Sequence, residues 1–401
     1  MPAKLPPELR SFVISNVHHK KDLVSLALTC HALRKEAQRA LFSSPVIHIY
    51  PKPHRSQISF LESTTSSPDR LALMVRRLTI TVHVSEEFWR LRAQEERHAQ
   101  NVDHTRKSLI AWIEEVGEKL RKALQHMRGT THLRFCYNAD DSQFHPTWLM
   151  SLLNTCTFRL KTLVWEVEAT DVELLIAKNL LQQDDLRTLK LKNVLQFDDD
   201  SQTNDLLRRF CPQLRTVSAP WPFVCAMLQH NRRILYVECS ENFFGSWAFP
   251  TVVEQKHQHV KYLCWPSSFK NRSVSLPSFV NLILLEISFL NPEDYKPITL
   301  LPRLEILILT SCPEHEVITT SRRLLTQSTS LAKVYCMVDK SGRREFTCQT
   351  YEPASGEIQS NTVDVEEMRT WRAAAGLNFE DIMSTLLDVG HGRTRLDLWT
   401  L

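Results

Sequence analysis

The sequence predicts an α/β fold in which a small helical unit precedes an array of strand-forming repeats. Two patterns predict this fold. Apolar residues recur at helical spacing within residues 1–50, and an apolar-x-x-apolar-x-apolar motif then recurs along most of the 401-residue chain. A composition of 43% hydrophobic and 23% charged residues is that of a folded globular protein and excludes a disordered one.

The first unit, residues 1–50, contains three predicted helices. Pro6 and Pro7 suit a helix entrance, because the N–H that proline lacks has no helical acceptor there. Asp22 can cap a second helix, and a third is predicted from about His31 to Phe42. Three short helices bury little surface, so we expect this unit to depend on a neighbouring body for stability.

These residues resemble an F-box, and the ending Leu-Phe-Ser-Ser is similar to that of many fungal members of the family. The matching residues are Leu5, Pro6, Glu8, Leu9, Ile14, Asp22, Leu23, Leu26, Cys30, Leu41 and Phe42. Leu33 stands where F-boxes often carry a Trp. The resemblance implies that the unit binds the Skp-family adaptor, and through it a cullin, of a cullin-RING ubiquitin ligase. The implied adaptor-binding residues are Leu5, Pro6, Leu9, Ile14, Leu23, Leu26, Cys30, Leu33 and Leu41.

Three further segments flank or interrupt the repeats. Residues 51–70 are rich in Ser, Thr and Pro, which predicts an irregular linker. Residues 85–128 are charged with apolar residues at helical spacing, which predicts one or two long helices, either packed against the array or extended as a partner-binding arm. Residues 341–401 are expected to form a C-terminal cap, with a loop or hairpin before helices at Val363–Ala375 and Phe379–Val389.

The repeat motif predicts a series of strands between residues 71 and 340. From Leu163 onward its central apolar residues are 26, 28, 20, 26, 22, 22 and 27 residues apart. They are Leu163, Leu189, Val217, Val237, Leu263, Leu285, Leu307 and Val334. Repeats of roughly 20 to 29 residues, each a strand with a returning helix or loop, indicate a leucine-rich-repeat solenoid, a horseshoe. The irregular spacing indicates a degenerate array, and RFCPQLRTV and LLPRLEIL resemble the helix-to-strand corner of F-box proteins with such repeats.

Side chains that alternate with the central positions point to the other face of the predicted sheet. In the later repeats several of them are aromatic or aliphatic: Tyr236, Tyr262, Ile306, Ile308 and Tyr335. An exposed strip of this kind is a candidate surface for a target protein. The alternative is that the C-terminal segment folds back and covers it.

Motifs for catalysis are missing from the sequence. With eight glycines it has no phosphate-binding loop, dinucleotide fingerprint or nucleophile elbow. His257 and His259 are expected on a solvated face rather than at a metal. The ten cysteines include no C-x-x-C pair and are expected to be mostly buried free thiols, with a zinc site assembled from distant ligands as the alternative. We therefore expect neither an enzyme nor a cofactor.

Charge and hydropathy narrow the choice of partners. A net charge of +4 and a pI near 8.5 are too mild to indicate binding to nucleic acid or a membrane surface. The sequence has no apolar leader and no membrane-length apolar run, so we expect an intracellular protein of the cytoplasm, the nucleus or both. The F-box resemblance implies that the function is target recognition in an SCF-type ubiquitin ligase. The alternatives are a repeat scaffold outside any ligase and an enzyme whose site is assembled from distant residues.

Overall fold

The computed structural model describes residues 6–17, 19–49, 55–84, 115–139, 152–153, 156–166, 180, 182–191, 209–229, 233–239, 257–265, 276–288, 290, 295–340, 343–352 and 354–363. The chain divides into two units, Met1–Glu168 and Ala169–Leu401. Both contain helices and strands, so the predicted mixed α/β class is confirmed.

The first unit begins with the three predicted helices, α1 (Pro7–Ser15), α2 (Lys20–Thr29) and α3 (Arg34–Ser43). Pro7 takes the first helical position of α1, as the sequence predicts. Arg34 Nε donates to the Ala27 carbonyl oxygen at 3.0 Å and ties α3 to α2. The helices enclose a small apolar core made of Ile14, Leu23, Ala27 and Ala37.

Four parallel strands follow in sequence order within the first unit. They are β1 (Val46–Ile49), β2 (Arg77–Val84), β3 (His132–Ala139) and β4 (Thr162–Glu166). Each pairs in parallel with the next. Leu78 and Leu133 are register partners of each other, Leu133 also pairs with the predicted central residue Leu163, and all three are buried.

The predicted irregular linker at residues 51–70 is wrong, because it contains helix α4 (Arg55–Ser66). Leu61 and Thr64 are buried, and the Phe60 ring stacks on Phe42 with centroids 5.6 Å apart. Ser63 Oγ donates to the carbonyl oxygen of Ser59, one helical turn earlier, at 2.6 Å. Burial of one apolar face therefore outweighs the low helix preference of the serines and threonines, whose hydroxyls bond within the helix itself.

Part of the predicted insertion at residues 85–128 is a helix at residues 115–126. Its Leu120 and Leu124 side chains are fully buried, and Lys119 Nζ lies 3.1 Å from Glu62 Oε1 of α4. This segment is therefore packed rather than extended as an arm. Residues 85–114 of the predicted insertion lie outside the described residues.

The second unit contains nine described strands. They are β5 (Thr188–Leu191), β6 (Thr216–Ala219), β7 (Tyr236–Cys239), β8 (Tyr262–Trp265), β9 (Leu284–Ile287), β10 (Ile306–Leu309), β11 (Lys333–Lys340), β12 (Arg343–Glu352) and β13 (Glu357–Val363). Strands β5 to β11 are parallel and adjacent in sequence order, and β12 and β13 continue the sheet antiparallel. The predicted C-terminal hairpin is thus β12–β13. The helices predicted after it fall, apart from Val363, outside the described residues.

Helices connect some of these strands. Their bounds are Trp221–Gln229, Tyr295–Thr299 and Val317–Gln327, with short 3-10 turns at Leu276–Ser278 and Glu314–Glu316 and, in the first unit, at Ala72–Met74. Trp221 packs edge-on against Trp265 with centroids 4.7 Å apart, so this helix joins the core of the sheet. No helix is predicted from the sequence at Trp221–Gln229.

Each repeat of the second unit enters the sheet through the same backbone corner. The Arg187 carbonyl, two residues before Leu189, accepts the N–H groups of Arg215 and Thr216 at 2.9 and 3.0 Å. The Arg215 carbonyl accepts those of Leu235 and Tyr236 in turn. The same pattern recurs at Lys261, Ile283 and Glu305. The backbone N–H of each donates to a carbonyl oxygen of the preceding repeat, and its own carbonyl oxygen accepts two N–H groups from the next repeat.

The predicted central residues of the second unit form one continuous ladder. Register partners run through Leu189, Val217, Val237, Leu263, Leu285, Leu307 and Val334, and every one is fully buried. The spacing between successive central residues varies from 20 to 28 residues. The strand and its corner are the same in each repeat, so the variation falls in the return segments. We call the face of the sheet that carries this ladder the core face, and the opposite one the second face.

Candidate partner-binding surfaces

Exposed large apolar side chains are concentrated on α1 and α2 of the first unit. The exposed fractions are 48% for Leu9, 66% for Phe12 and 39% for Val13 on α1, and 45% for Val24 and 73% for Leu28 on α2. Among the described residues only Leu73, Leu300 and Ile318 are further large apolar side chains with such exposure. We call these five residues the α1–α2 apolar surface, and a concentration of this kind is typical of an interaction site.

The residues that the F-box resemblance assigns to adaptor binding differ in their exposure to solvent. Pro6 and Leu9 are exposed, whereas Ile14 and Leu23 are buried in the core of the unit and cannot contact a partner without unfolding it. Leu26, Cys30, Leu33 and Leu41 are half-buried, and Leu5 lies outside the described residues. The assignment of Ile14 and Leu23 to a docking surface is therefore corrected to a structural role. Phe12, Val13, Val24 and Leu28 were not assigned to docking.

The strip predicted to hold a target protein is not exposed. Tyr262, Ile306, Ile308 and Tyr335 are buried, and Tyr236 is half-buried. They form a second apolar cluster with Leu284 and Cys348, and Phe346 packs against it. Cys348 and Phe346 belong to β12, within the predicted C-terminal cap, so the strip is part of the interior of the second unit.

The second face is more polar toward β5. Lys190, Ser218, Glu238, Cys264 and Glu286 occupy one row of register partners across β5 to β9. Lys190 Nζ lies 3.8 Å from Glu238 Oε1, and the Tyr236 hydroxyl donates to Glu238 Oε2 at 3.3 Å. Lys190, Tyr236 and Glu238 are all partly exposed. They form a polar and aromatic surface that a partner can reach.

Two tyrosines connect this polar row to the buried cluster. The Tyr236 and Tyr262 rings stack in parallel, with centroids 4.3 Å and planes 7° apart. The Tyr262 hydroxyl donates to the carboxylate of Glu286, which is itself buried. Buried carboxylates are costly without such donors. The ring stack holds Tyr262 against Tyr236, and the hydrogen bond holds Tyr262 against Glu286.

The first unit has a buried ion pair on the corresponding face of its own sheet. Arg134 Nη2 lies 3.0 and 2.9 Å from the two carboxylate oxygens of Glu166, and both side chains are nearly inaccessible. Burial, and then the Glu166 charge, raise the pKa of the neighbouring Cys136 thiol to about 12. Cys136 is therefore protonated and unreactive at neutral pH.

Among the described residues, the candidate metal ligands and nucleophiles do not cluster at one site. The prediction that His257 lies on a solvated face is wrong. It is largely buried, its ring packs on Phe279 at 4.8 Å, and burial lowers its pKa. The described residues contain no group of three or more His, Cys, Asp or Glu side chains able to hold a metal ion. All ten cysteines are free thiols, as predicted, and six are buried.

Comparison with known proteins gives no match: no family model matches the sequence, and no curated protein is significantly similar to it. Within the described ranges, no helix has both the length and the apolar character needed to cross a bilayer.

Proposed function

We propose that this chain is the substrate-recognition subunit of an SCF-type cullin-RING ubiquitin ligase. Residues 1–50 act as an F-box that binds the Skp-family adaptor, and the strands that follow form an irregular leucine-rich-repeat solenoid that holds a target protein. The observation that carries the proposal is the α1–α2 apolar surface, located on the segment whose sequence resembles an F-box.

Energetics support docking through this surface. The bundle core consists of four buried side chains, two of them alanines, while Phe12 and Leu28 project into solvent. Burying a large apolar side chain is worth roughly 1.5–3 kcal/mol. A partner that covered the α1–α2 apolar surface would therefore contribute a stabilisation that the small core alone does not supply.

The backbone supports a solenoid. Parallel strands that neighbour one another in sequence order, with one repeated corner and one aligned ladder of buried apolar residues, are the arrangement expected of stacked repeats. Such arrays serve as extended binding surfaces. In this proposal the accessible group Lys190, Tyr236 and Glu238 takes part in target recognition, in place of the buried strip.

The chain's contribution to ubiquitin transfer is positional. The F-box binds the ligase core and the repeat array binds the target, so that a lysine of the target reacts at a high effective concentration with the ubiquitin-loaded enzyme. The bond-making groups belong to other subunits of the ligase in this mechanism.

Co-purification tests the proposal. The full chain is expressed together with a Skp-family adaptor and passed over a size-exclusion column. Co-elution at one-to-one stoichiometry is the expected result. If the folded chain elutes alone, the ligase proposal fails, and a repeat scaffold outside the ligase becomes the better account.

A further inference from the structure

Strand β13 is the last strand of the sheet in the second unit. It pairs antiparallel with β12 over seven residues and, among the described strands, with no other. Two side-chain bonds add to this pairing. Gln349 Nε2 donates to Ser360 Oγ at 2.7 Å, and Gln359 Nε2 donates to Glu352 Oε2 at 2.9 Å. The backbone N–H and C=O groups that alternate with those bonded to β12 face away from the sheet and can pair with a further strand.

The usual protections of an edge strand are missing from β13. Proteins block such edges with short strands, bulges, Lys or Pro. The register of β13 has no bulge, it contains neither Lys nor Pro, and its one charged residue is Glu357 at its start. By contrast, β1, which begins the sheet of the first unit, has four residues and follows Pro45 directly. The β13 edge is therefore open to strand addition.

The residue pattern of β13 fits a second copy of the same strand. Antiparallel pairing of two copies about Ser360 places Gln359 of one opposite Asn361 of the other. It also places Ile358 opposite Thr362. Two amide side chains can exchange hydrogen bonds, and two β-branched side chains pack well across a pair of strands. The strand is thus complementary to itself.

Charge favours the antiparallel orientation. Antiparallel pairing about Ser360 places Glu357 opposite position 363 of the second copy, so that the two Glu357 side chains are six residues of strand apart, roughly 20 Å. This separation exceeds the Debye length of about 8 Å at physiological ionic strength, so their repulsion is screened. Parallel pairing in register would instead place the two carboxylates on neighbouring strands about 5 Å apart, where like charges destabilise a sheet.

We propose that two copies of this chain dimerise through β13, which pairs antiparallel with itself about Ser360 and joins the two sheets. The dimer has twofold symmetry, since each copy contributes the same strand to the interface. The exposed side chains from Gln359 to Thr362 border this interface. A single edge of seven residues makes a small interface, so we expect a reversible dimer of modest affinity.

Sedimentation velocity of the full-length protein tests the dimer. The protein is measured between roughly 1 and 200 μM, a range that covers weak interfaces. Dithiothreitol is present so that the free thiols form no disulfides between copies. We expect the mass to rise with concentration from the 46.6 kDa of one chain toward twice that value. A mass of one chain throughout this range would overturn the proposal.

Charge variants locate the interface. The double variant Gln359→Lys with Asn361→Lys sets like charges opposite each other at both amide pairs and should weaken dimerisation at least tenfold. The control, Gln327→Lys with Thr329→Lys, adds the same charge at exposed positions outside β13 and should dimerise like wild type. Equal dimerisation of the β13 variant and wild type would show that the copies associate elsewhere.

A charge exchange separates loss of the interface from loss of the fold. The chain with Gln359→Glu and Asn361→Glu should also stay monomeric by itself. Mixed with the two-lysine variant, it should form a dimer at least as stable as wild type, because opposite charges then face each other. A mixture in which both chains remain folded monomers by circular dichroism and sedimentation would contradict pairing through β13.

Discussion

Arg134 and Glu166 show at the scale of single residues how the sheet of the first unit tolerates buried charge. Their ion pair is buried, and removing one partner of such a pair leaves an uncompensated buried charge. Arg134→Ala should therefore lower the free energy of unfolding by about 3–5 kcal/mol, measured by urea denaturation.

The double variant Arg134→Met with Glu166→Leu is the control for this pair. It replaces the charges by apolar groups of similar volume and should lie within about 1 kcal/mol of wild type or above it. A single Arg134→Ala variant as stable as wild type would mean that the pair is accessible to water.

Residue-level roles in the first unit could be predicted only in part. Leu23 and Leu28 are both leucines of α2 but lie on different sides of the helix, and Leu23 is buried while Leu28 is exposed. The sequence pattern predicts the helix but cannot distinguish its two apolar sides, because both carry leucine. Which side packs inward depends on where α1 and α3 lie, and this is tertiary information.

Helix α4 is the clearest test at the scale of an element, since the sequence predicted an irregular linker there. Ser59→Pro removes a helical N–H and places the proline ring against the preceding turn, so it should cost about 3 kcal/mol of unfolding free energy. Ser56→Pro lies in the first turn, where N–H groups have no helical acceptor, and should be nearly neutral. Equal small effects in thermal melts would contradict a helix at Arg55–Ser66.

The ladder of the core face gives a second prediction for strands. Leu285 is fully buried in β9, so Leu285→Ala should lower the unfolding free energy by about 2–5 kcal/mol. Leu300→Ala makes the same chemical change at an exposed position and should stay within about 0.5 kcal/mol of wild type. Denaturant titration of both variants compares them, and similar losses would mean that the ladder is not the core.

One helix that was not predicted from the sequence, Trp221–Gln229, lacks a periodic pattern. Helix Trp221–Gln229 reads WPFVCAMLQ, and its described side chains from Trp221 to Leu228 are buried without exception. A helix that is apolar on all sides has no amphipathic signal, and a short apolar run cannot be told from a strand by periodicity. The strands were predictable because each repeats the same spacing in the same context.

At the scale of the whole chain, the repeated motif predicted the array of strands. It did not predict whether the second face of that array is buried or exposed. The spacing of Leu263, Leu285 and Leu307 determines which side chains share the core face. It does not determine whether Ile306 or Tyr335 on the opposite face meets water, because that depends on segments distant in sequence. The second face of the later repeats is buried, which moves the candidate target surface toward β5, β6 and β7.

The most direct test of the central proposal is the dissociation constant between the folded chain and a Skp-family adaptor, measured by isothermal titration. Wild type should bind, and Phe12→Glu and Leu28→Glu should each weaken binding by at least about 2 kcal/mol, roughly 30-fold, since each places a charge in an apolar interface. Ile318→Glu, the same kind of change at another exposed apolar residue, should bind like wild type. Absence of wild-type binding, or equal affinities for all four proteins, would contradict docking through the α1–α2 apolar surface.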